Sequence, residues 1–322
     1  MLSRTEVELA YRLILGREPE SDAVIDGHRR NANSLVELRE AFLNSAEFRS
    51  HRGSNGSEVP SLPTKIDHGP PMAVEIDLDP TMLQKVWERV EQCWQALGQT
   101  EPYWSVASCD QFKSRVFEAH EAEFYATGNV DVMRLLAWLA RNHVDVNKLS
   151  SCVEYGCGVG RVTAWLSTHF TKVYGYDISP AHLKLAQESL QNKGRLNVVL
   201  ERLETISALS RLPRVDLIFT VIVLQHNPPP VIAYILRSLL RSLNPRGIAF
   251  FQVPTYALGY VFDSRQYLQS ASSTTSFEMH LLPQSSIYEI VHDEGCIVRE
   301  VQPDYYVGDP NWVSNTFLVQ KR

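Results

Sequence analysis

The stretch Cys152-Val153-Glu154-Tyr155-Gly156-Cys157-Gly158-Val159-Gly160 decides the fold, because it places a glycine-rich turn between a strand pattern and a helical pattern. At such a junction, an α/β sheet binds its cofactor at the carboxyl end of a strand. Gly156, Gly158 and Gly160 can adopt backbone angles that are closed to other residues, and they let a ligand approach the main chain. Glu154 adds a carboxylate at the strand's end, where it suits a cationic amine better than a phosphate.

The glycine spacing separates two cofactor classes. A dinucleotide fingerprint reads Gly-x-Gly-x-x-Gly and receives a pyrophosphate, whereas here the third glycine comes one residue early and Arg161 follows it. The pattern acid-x-Gly-x-Gly-x-Gly resembles the first motif of the class I S-adenosylmethionine-dependent methyltransferases. The resemblance implies S-adenosylmethionine (SAM) as the cofactor, with contacts from Glu154, Gly156, Cys157, Gly158 and Gly160.

A second strand pattern, Lys172 to Ile178, contains Asp177, which lies 17 residues past Gly160. This is close to the offset at which a ribose-binding acid is expected, and a carboxylate there accepts both ribose hydroxyls. Nicotinamide enzymes share the device, so Asp177 predicts an adenosine cofactor of either class.

The adenine site is predicted from the methyltransferase resemblance. In that family the end of the next strand brackets the adenine, and Asn197 to Glu204 occupies that place here. Leu203 and Glu204 stand where the family often has an aspartate. Ile178 and Gln225 complete the predicted cofactor contacts.

The order of the elements predicts an α/β fold with a doubly wound, mostly parallel, seven-stranded Rossmann-like sheet. Its last two strands, Cys296 to Asp304 and Asn315 to Lys321, should be antiparallel, because the loop Tyr305 to Ser314 is too short for a parallel crossover. A reversed last strand is the methyltransferase pattern, whereas dinucleotide-binding sheets usually stay parallel to the edge. The other predicted helices are Arg161 to Phe170, Pro180 to Asn192, a helix that begins at Asn227 and Pro228, and Leu282 to Glu294. The other predicted strands are Val215 to Leu224 and Ile248 to Val253.

Composition shifts divide the chain into four parts: a small all-α domain over residues 1–52, a flexible linker over 53–78, a helical lid over 79–149, and the cofactor domain over 150–322 with an insertion at 255–282. Ala10 to Pro19 and Phe42 to Phe48 resemble a small helical bacterial domain of unknown function, which recurs beside glycosyltransferases and methyltransferases of surface-polysaccharide assembly. The resemblance implies a partner in such an assembly. The alternative is a helical bundle that aids folding or forms a homodimer.

The lid is predicted from the helical extension before the glycine turn. Asp79 opens a helix that Gly98 should end, and the following residues include Tyr103, Trp104 and Tyr125. In class I methyltransferases such an extension often covers cofactor and acceptor, and these aromatic rings would offer faces and polar tips to a sugar. Core packing is the alternative explanation of the same rings.

Two histidines are the candidates for a catalytic base. His226 stands just beyond the central strand and titrates near neutral pH, although it would equally cap a helix or contact the cofactor. His280 is the second candidate, and its alternative is a hydrogen-bonded structural role. Glu278, Tyr256 and Asp304 are further acceptor-contact candidates. His226, His280 and Asp304 together have metal-binding chemistry, but no ligand spacing requires a metal and none is predicted.

Composition excludes several classes. The chain has 322 residues, 44% hydrophobic and 21% charged, and a net charge of −6, which argues against a nucleic-acid partner. No apolar run approaches the roughly twenty residues of a membrane span. The five cysteines lack paired ligand spacing, and we expect reduced thiols and a cytoplasmic location.

The nature of the acceptor follows from the two resemblances. Asn227-Pro228-Pro229-Pro230 looks like an element of nitrogen-methylating enzymes, but Pro230 stands where those enzymes have an aromatic residue, so it is better interpreted as a helix start. We therefore expect O-methylation of a sugar hydroxyl on a surface glycan or its precursor. The alternatives are methylation of a small metabolite at oxygen or nitrogen, and a non-catalytic scaffold that retains the cofactor pocket.

Overall fold

The computed structural model describes residues 2–15, 17–32, 34–43, 45, 69–270 and 277–322. The chain divides into two compact units, residues 1–63 and 64–322. The division falls inside the predicted linker, of which residues 53–68 lie outside the described part. Residues 73–78 of that linker belong to the second unit, because Ala73–Val74 (β1) pairs in parallel with Val261–Phe262 (β7) and the next residues pack on the core.

The described residues of the first unit form three helices, α1 (Arg4–Ala10), α2 (Asp22–Asn31) and α3 (Leu35–Leu43), with one π-helical turn after α1. A capping box begins α1, since Ser3 Oγ accepts from the Glu6 amide and the Glu6 carboxylate accepts from the Ser3 amide. The core joins Val7, Tyr11, Ile25, Leu38 and Phe42. Leu35, at the start of α3, is exposed.

The second unit is built on a seven-stranded sheet. Its strands are β2 (Ser151–Tyr155), β3 (Lys172–Asp177), β4 (Val198–Arg202), β5 (Val215–Thr220), β6 (Leu243–Ala257), β8 (Cys296–Asp304) and β9 (Trp312–Lys321). Their order is β4-β3-β2-β5-β6-β9-β8, and β4 to β6 run parallel. β9 is antiparallel to both β6 and β8, as predicted from the short loop between the last two strands.

Strand residues alternate between two buried faces, so the sheet is the middle of three layers. Val153, Ile218 and Phe251 lie on one face, under α4 (Pro80–Thr100), α9 (Pro229–Arg241) and α11 (Gln284–Asp293). Cys152 and Phe250 lie on the opposite face, under α6 (Glu121–Arg141) and the short helix α7 (Thr163–Leu166). Helix α8 (Pro180–Asn192), capped by Ser179, follows β3 as predicted.

The predicted lid is largely part of the core. Trp87 on α4 and Leu135 on α6 are fully buried against opposite faces of the sheet. Truncating either to alanine should cost about 2–5 kcal/mol of folding free energy. The end of α4 and the short helix α5 (Pro102–Val106) reach the cleft at the carboxyl ends of the strands. Helix α4 continues past Gly98 to Thr100, so the predicted stop there is wrong.

Several predicted boundaries shift because tertiary packing overrides local propensity. The helix predicted from Arg161 to Phe170 is regular only over Thr163–Leu166. The strand predicted to reach Leu224 ends at Thr220, where the chain turns away from the sheet. The described residues of the insertion at 255–282 include β7 and the helix α10 (Ser264–Gln269). None of the described helices is long and apolar enough to cross a membrane.

Candidate functional site

The glycine turn after β2 has the backbone conformation that its sequence predicts. φ is +74° at Gly156, +53° at Gly158 and +78° at Gly160, in the left-handed region that favours glycine. A Cβ on Gly156 would lie 2.5 Å from the Val223 methyl groups, and one on Gly158 would lie 2.7 Å from Cγ2 of Val106. Side chains at these positions would therefore push apart the loop after β5 and helix α5.

A cleft opens beside this turn. It lies at the carboxyl ends of β2, β3 and β5, where the strand order reverses, which is the usual ligand position in an open α/β sheet. Among the described residues, the cleft is lined by Trp94, Ser105, Val106, Glu154, Tyr155, Gly156, Cys157, Gly158, Arg161, Val162, Asp177, Ile178, His182, Phe219, Val221, Ile222, Val223 and Asn227.

Glu154 is buried at the end of β2, where its Oε2 accepts a 2.5 Å hydrogen bond from the Thr163 hydroxyl. Burial raises the pKa of the carboxyl to about 8, although this hydrogen bond and the charge of Arg161 oppose the shift. Arg161 is itself held by an ion pair with Asp131, with 2.7 Å between Nη2 and Oδ2. A cationic ligand group beside Glu154 would favour its ionised form.

Asp177 is fixed against the glycine turn. Its Oδ2 accepts from the Gly158 amide and its Oδ1 from the Ser179 amide, both at 2.8 Å. These two hydrogen bonds orient the carboxylate at the carboxyl end of β3, and each oxygen keeps a further lone pair that can accept from a ligand. Ile178 lines the cleft next to it.

Four of the predicted cofactor residues lie elsewhere. Gly160 packs the turn against α8, since a Cβ there would lie 3.3 Å from Cβ of Ala186. Leu203 is buried in the core because β4 ends at Arg202 and the chain turns inward. Glu204 is exposed, and Gln225 is buried behind the cleft. The four residues do not line the cleft.

A chain of hydrogen bonds behind the cleft fixes the protonation state of His226. The Ile222 amide donates to Oε1 of Gln252 at 2.9 Å, which identifies the other atom of that side-chain amide as the donor Nε2. Nε2 of Gln252 donates to Oε1 of Gln225 at 3.0 Å. Gln225 Nε2 then faces His226 Nε2 at 3.3 Å, while His226 Nδ1 lies 3.0 Å from the carbonyl oxygen of Glu278. Because a carbonyl only accepts, the ring proton is on Nδ1 and Nε2 carries the lone pair.

His226 is buried, and burial lowers its pKa to about 4 although the bond to the Glu278 carbonyl opposes the shift. The ring is therefore neutral at pH 7. It lines a second, smaller cavity, and Trp94 lines both this cavity and the cleft. The rings of Trp94 and His226 are 5.3 Å apart, and Phe277 stacks on Trp94 at 6.1 Å.

Glu278 and His280 form a polar network at the second cavity. Glu278 Oε1 lies 2.7 Å from Nη2 of Arg89, and its Oε2 lies 3.2 Å from Nε2 of His280. Burial opposes ionisation of Glu278, but hydrogen bonds from His280, Arg89 and Tyr267 lower its pKa to about 2. His280 Nδ1 is engaged by the Tyr260 hydroxyl at 2.8 Å. Because the Glu278 carboxylate only accepts, Nε2 of His280 carries the ring proton, and the lone pair on Nδ1 is held by a shorter hydrogen bond than the lone pair of His226, which fits a structural role.

The aromatic residues predicted for the lid do not line the cleft. Tyr103 stacks on Phe117, with ring centroids 3.4 Å apart, and Tyr125 is buried in the same aromatic cluster. Packing is therefore the explanation of these two rings. Trp104 instead lies near the second cavity, 5.7 Å from Phe277 between ring centroids.

Two other predicted acceptor contacts lie away from the cleft lining. The Tyr256 hydroxyl donates to the Pro70 carbonyl at 3.0 Å. Asp304 ends the edge strand β8, where its Oδ2 accepts from the Thr316 hydroxyl at 2.8 Å. Asp304 is therefore engaged at the far edge of the sheet and not beside His226. Within the described ranges, no group of three His, Cys, Asp or Glu side chains is arranged to hold a metal ion.

Sequence reasoning missed several residues of the cleft, namely Trp94, Ser105, Val106, His182 and Asn227. His182 had a detectable signal, because it lies in the first turn of a capped helix directly after the ribose-type acid. Trp94 and Ser105 had none, since only tertiary packing brings the helical extension to the glycine turn.

Comparison with known proteins gives a match over residues 153–249, which correspond to a family model described as a methyltransferase domain. A curated relative, ribosomal RNA small subunit methyltransferase C of Alcanivorax borkumensis, is 25% identical over 48% of this chain and 49% of its own length. The match thus spans about half the length of that relative. The chain therefore carries a methyltransferase domain, which comprises the glycine turn and most of the cleft.

Solved structures with a similar arrangement include a magnesium protoporphyrin IX methyltransferase from Synechocystis with bound S-adenosylhomocysteine (SAH). It is 18% identical, the alignment covers 68% of this chain and 93% of that one, and the TM-score is 0.46. A SAM-dependent methyltransferase from Clostridium acetobutylicum is 14% identical over 58% of this chain and 89% of its own, with a TM-score of 0.44.

Proposed function

We propose that this chain is a SAM-dependent methyltransferase that acts on oxygen, with a sugar hydroxyl of a surface glycan or its precursor as the acceptor. The observation that carries the proposal is a left-handed glycine turn between two buried carboxyls, Glu154 and Asp177, at the carboxyl ends of neighbouring parallel strands. The match to a methyltransferase domain supports the same function. SAM is the cofactor that this site suits.

The residues of the cleft fit the parts of SAM. Glu154 offers a carboxyl for the ammonium group, and Arg161, on the same turn, offers a guanidinium for the carboxylate. Asp177 accepts ribose hydroxyls, and Ile178 supplies apolar surface beside it. When bound, SAM supplies a methyl group on a positively charged sulfur, which is already an activated leaving group. Alignment of the acceptor then provides much of the rate.

His226 is the residue best suited to take the acceptor's proton. Its neighbour Asn227 lines the cleft, and its ring contacts Trp94, which also lines the cleft. The lone pair on Nε2 is held only by a long 3.3 Å hydrogen bond from Gln225, which an acceptor hydroxyl can replace. The Nδ1 bond to the Glu278 carbonyl orients the ring for that exchange.

The surroundings of His226 support a polyhydroxylated acceptor. Trp94, Trp104 and Phe277 provide aromatic faces, and the Arg89–Glu278 pair provides charged hydrogen-bonding groups at the second cavity. Sugars combine apolar ring faces with hydroxyls, and they bind to such surfaces. The resemblance of residues 1–52 to a domain found beside enzymes of polysaccharide assembly supports a glycan. The net charge of −6 weighs against a ribosomal RNA acceptor.

Calorimetry with SAM and SAH tests the cofactor, and transfer of radiolabelled methyl groups tests the acceptor. The purified chain is incubated with labelled SAM and either lipid-linked glycan precursors, polymer glycans or a set of small hydroxylated and amine metabolites. We expect label in an alkali-stable methyl ether of a sugar, identified by mass spectrometry. His226→Asn is the matched control, because asparagine retains a donor near the Nδ1 position and lacks the base.

The outcomes separate the alternatives. Label on a small metabolite alone would refute the glycan acceptor and keep the methyltransferase. Tight SAM binding with no transfer to any acceptor would favour a non-catalytic scaffold. Failure to bind SAM and SAH would refute the cofactor assignment and the proposal with it.

A further inference from the structure

His182 is a buried histidine of the cleft whose ring has one nitrogen without a partner. It lies in the first turn of α8 and is 1% exposed. Among the described residues, Nδ1 has no hydrogen-bond partner, and Oδ1 of Asp177 lies 3.9 Å away. A buried polar atom without a partner is uncommon in a native structure and indicates a missing ligand or water.

The other ring nitrogen determines the tautomer. Nε2 of His182 lies 3.0 Å from the Ser105 hydroxyl, which donates its own proton to the Pro102 carbonyl at 3.0 Å. The hydroxyl therefore accepts from Nε2, which carries the ring proton. Burial lowers the pKa of His182, which keeps the ring neutral. Nδ1 consequently presents a lone pair toward Asp177.

Two hydrogen-bond acceptors thus face each other across 3.9 Å. Each oxygen of Asp177 already accepts one backbone amide, from Gly158 or Ser179, and neither His182 Nδ1 nor the carboxylate has a proton to give the other. A ligand with two adjacent hydroxyl donors would satisfy both acceptors at once. A vicinal diol is such a ligand.

We propose that His182 shares the ribose of the cofactor with Asp177, so that Nδ1 accepts from one of the two vicinal hydroxyls and the carboxylate accepts from the other. This inference rests on the proposed function, since it names a ribose ligand of the same cleft. It makes His182 a cofactor-binding residue that selects for an intact ribose. The alternative is that His182 only joins α8 to α5 through Ser105.

Two isosteric variants separate these roles. In His182→Gln the side-chain amide reaches the Nε2 position and keeps a donor for Ser105, but the acceptor toward Asp177 is lost. In His182→Asn the side-chain amide oxygen replaces Nδ1 and the contact with Ser105 is lost. If His182 binds the ribose, His182→Gln should weaken cofactor binding. If His182 has only a structural role, His182→Asn should be the more damaging substitution.

The experiment measures the calorimetric affinities of SAH, 2′-deoxy-SAH and 3′-deoxy-SAH for the full chain and both variants. We expect His182→Gln to weaken SAH binding about three- to tenfold, the effect of one neutral hydrogen bond. One of the two deoxy analogues should bind the wild type and His182→Gln equally, because it lacks the hydroxyl that His182 accepts. His182→Asn should retain most of the affinity for SAH.

Unchanged SAH binding by His182→Gln, or an equal loss for all three ligands, would overturn the inference while the proposed function stands. Absence of SAH binding to the wild type would overturn the proposed function itself. Nitrogen-15 NMR of histidine-labelled wild-type protein gives a second measurement that needs no variant. Nδ1 of His182 should resonate as an unprotonated nitrogen and move upfield when SAH binds, and a protonated or unresponsive Nδ1 would contradict the proposal.

Discussion

Glu154→Gln is the most informative substitution, because burial raises the pKa of the wild-type carboxyl to about 8. The hydrogen bond from Thr163 and the charge of Arg161 lower this pKa, but by less than burial raises it. At pH 7 only about one protein in ten then has an ionised Glu154 before the ligand binds. Because the cationic amine of SAM or SAH pairs with the ionised carboxyl, binding must release the proton from the remaining nine in ten. Glutamine keeps the size of the side chain and removes the titration.

The sign of the pH dependence follows from the direction of the pKa shift. The free protein holds the proton up to about pH 8 and the complex does not, so the affinity contributed by Glu154 is fully present above pH 8 and is lost as the pH falls. Between pH 8 and pH 6 the ionised fraction falls about fiftyfold, so the ratio of wild-type to Glu154→Gln affinity should fall about fiftyfold. Taking the ratio cancels the titration of the ligand's own amino group.

Titration calorimetry of SAH in buffers of different ionisation enthalpy measures both quantities. At pH 7 the wild type should release about 0.9 proton more than Glu154→Gln on binding. Equal proton release by the two proteins, together with a ratio of affinities that stays flat from pH 6 to pH 8, would mean that Glu154 is already ionised in the free protein. The assignment of burial as the dominant effect on this carboxyl would then be wrong.

Three further substitutions test the site and its supports. His226→Asn should leave SAH affinity within about twofold and slow single-turnover methyl transfer about 10²- to 10⁴-fold, and a nearly unchanged rate would exclude His226 as the base. Gln252→Leu leaves the half-buried Ile222 amide without its acceptor at a φ of +60° and should lower the free energy of unfolding in urea by about 1–3 kcal/mol. Gly128→Ala would place a Cβ 2.2 Å from the Arg161 carbonyl oxygen. It should cost about 1–3 kcal/mol of stability and weaken SAH binding, whereas wild-type values for both would contradict the close packing of α6 on the turn.

The sequence predicted the sheet well because its signals are local. The three glycines, the strand ending at Asp177 and the proline-capped helix after it each specify a backbone conformation within a few residues. The reversed last strand followed from the length of one loop. Glu154, Gly156 and Asp177 could therefore be assigned to the cleft before the tertiary structure was known.

The predictions that failed concern residues whose environment is set by distant parts of the chain. Tyr103 and Tyr125 are residue types that suit a sugar-binding surface, but they pack with Phe117 and Phe124 in a buried aromatic cluster. The predicted end of the strand before Leu203 and Glu204 is correct to within two residues. The direction in which the chain turns after that strand depends on tertiary packing, which buries Leu203.

The amino-acid sequence by itself thus determined the order of strands and helices, the glycine turn and the two carboxyls beside it, since each depends on short-range backbone geometry. Only the tertiary structure decided that Trp94 and Ser105 reach the cleft, that burial raises the pKa of Glu154, and that His182 hydrogen-bonds to Ser105. These properties depend on desolvation and on contacts between residues 70 or more positions apart in the chain. No local pattern encodes them.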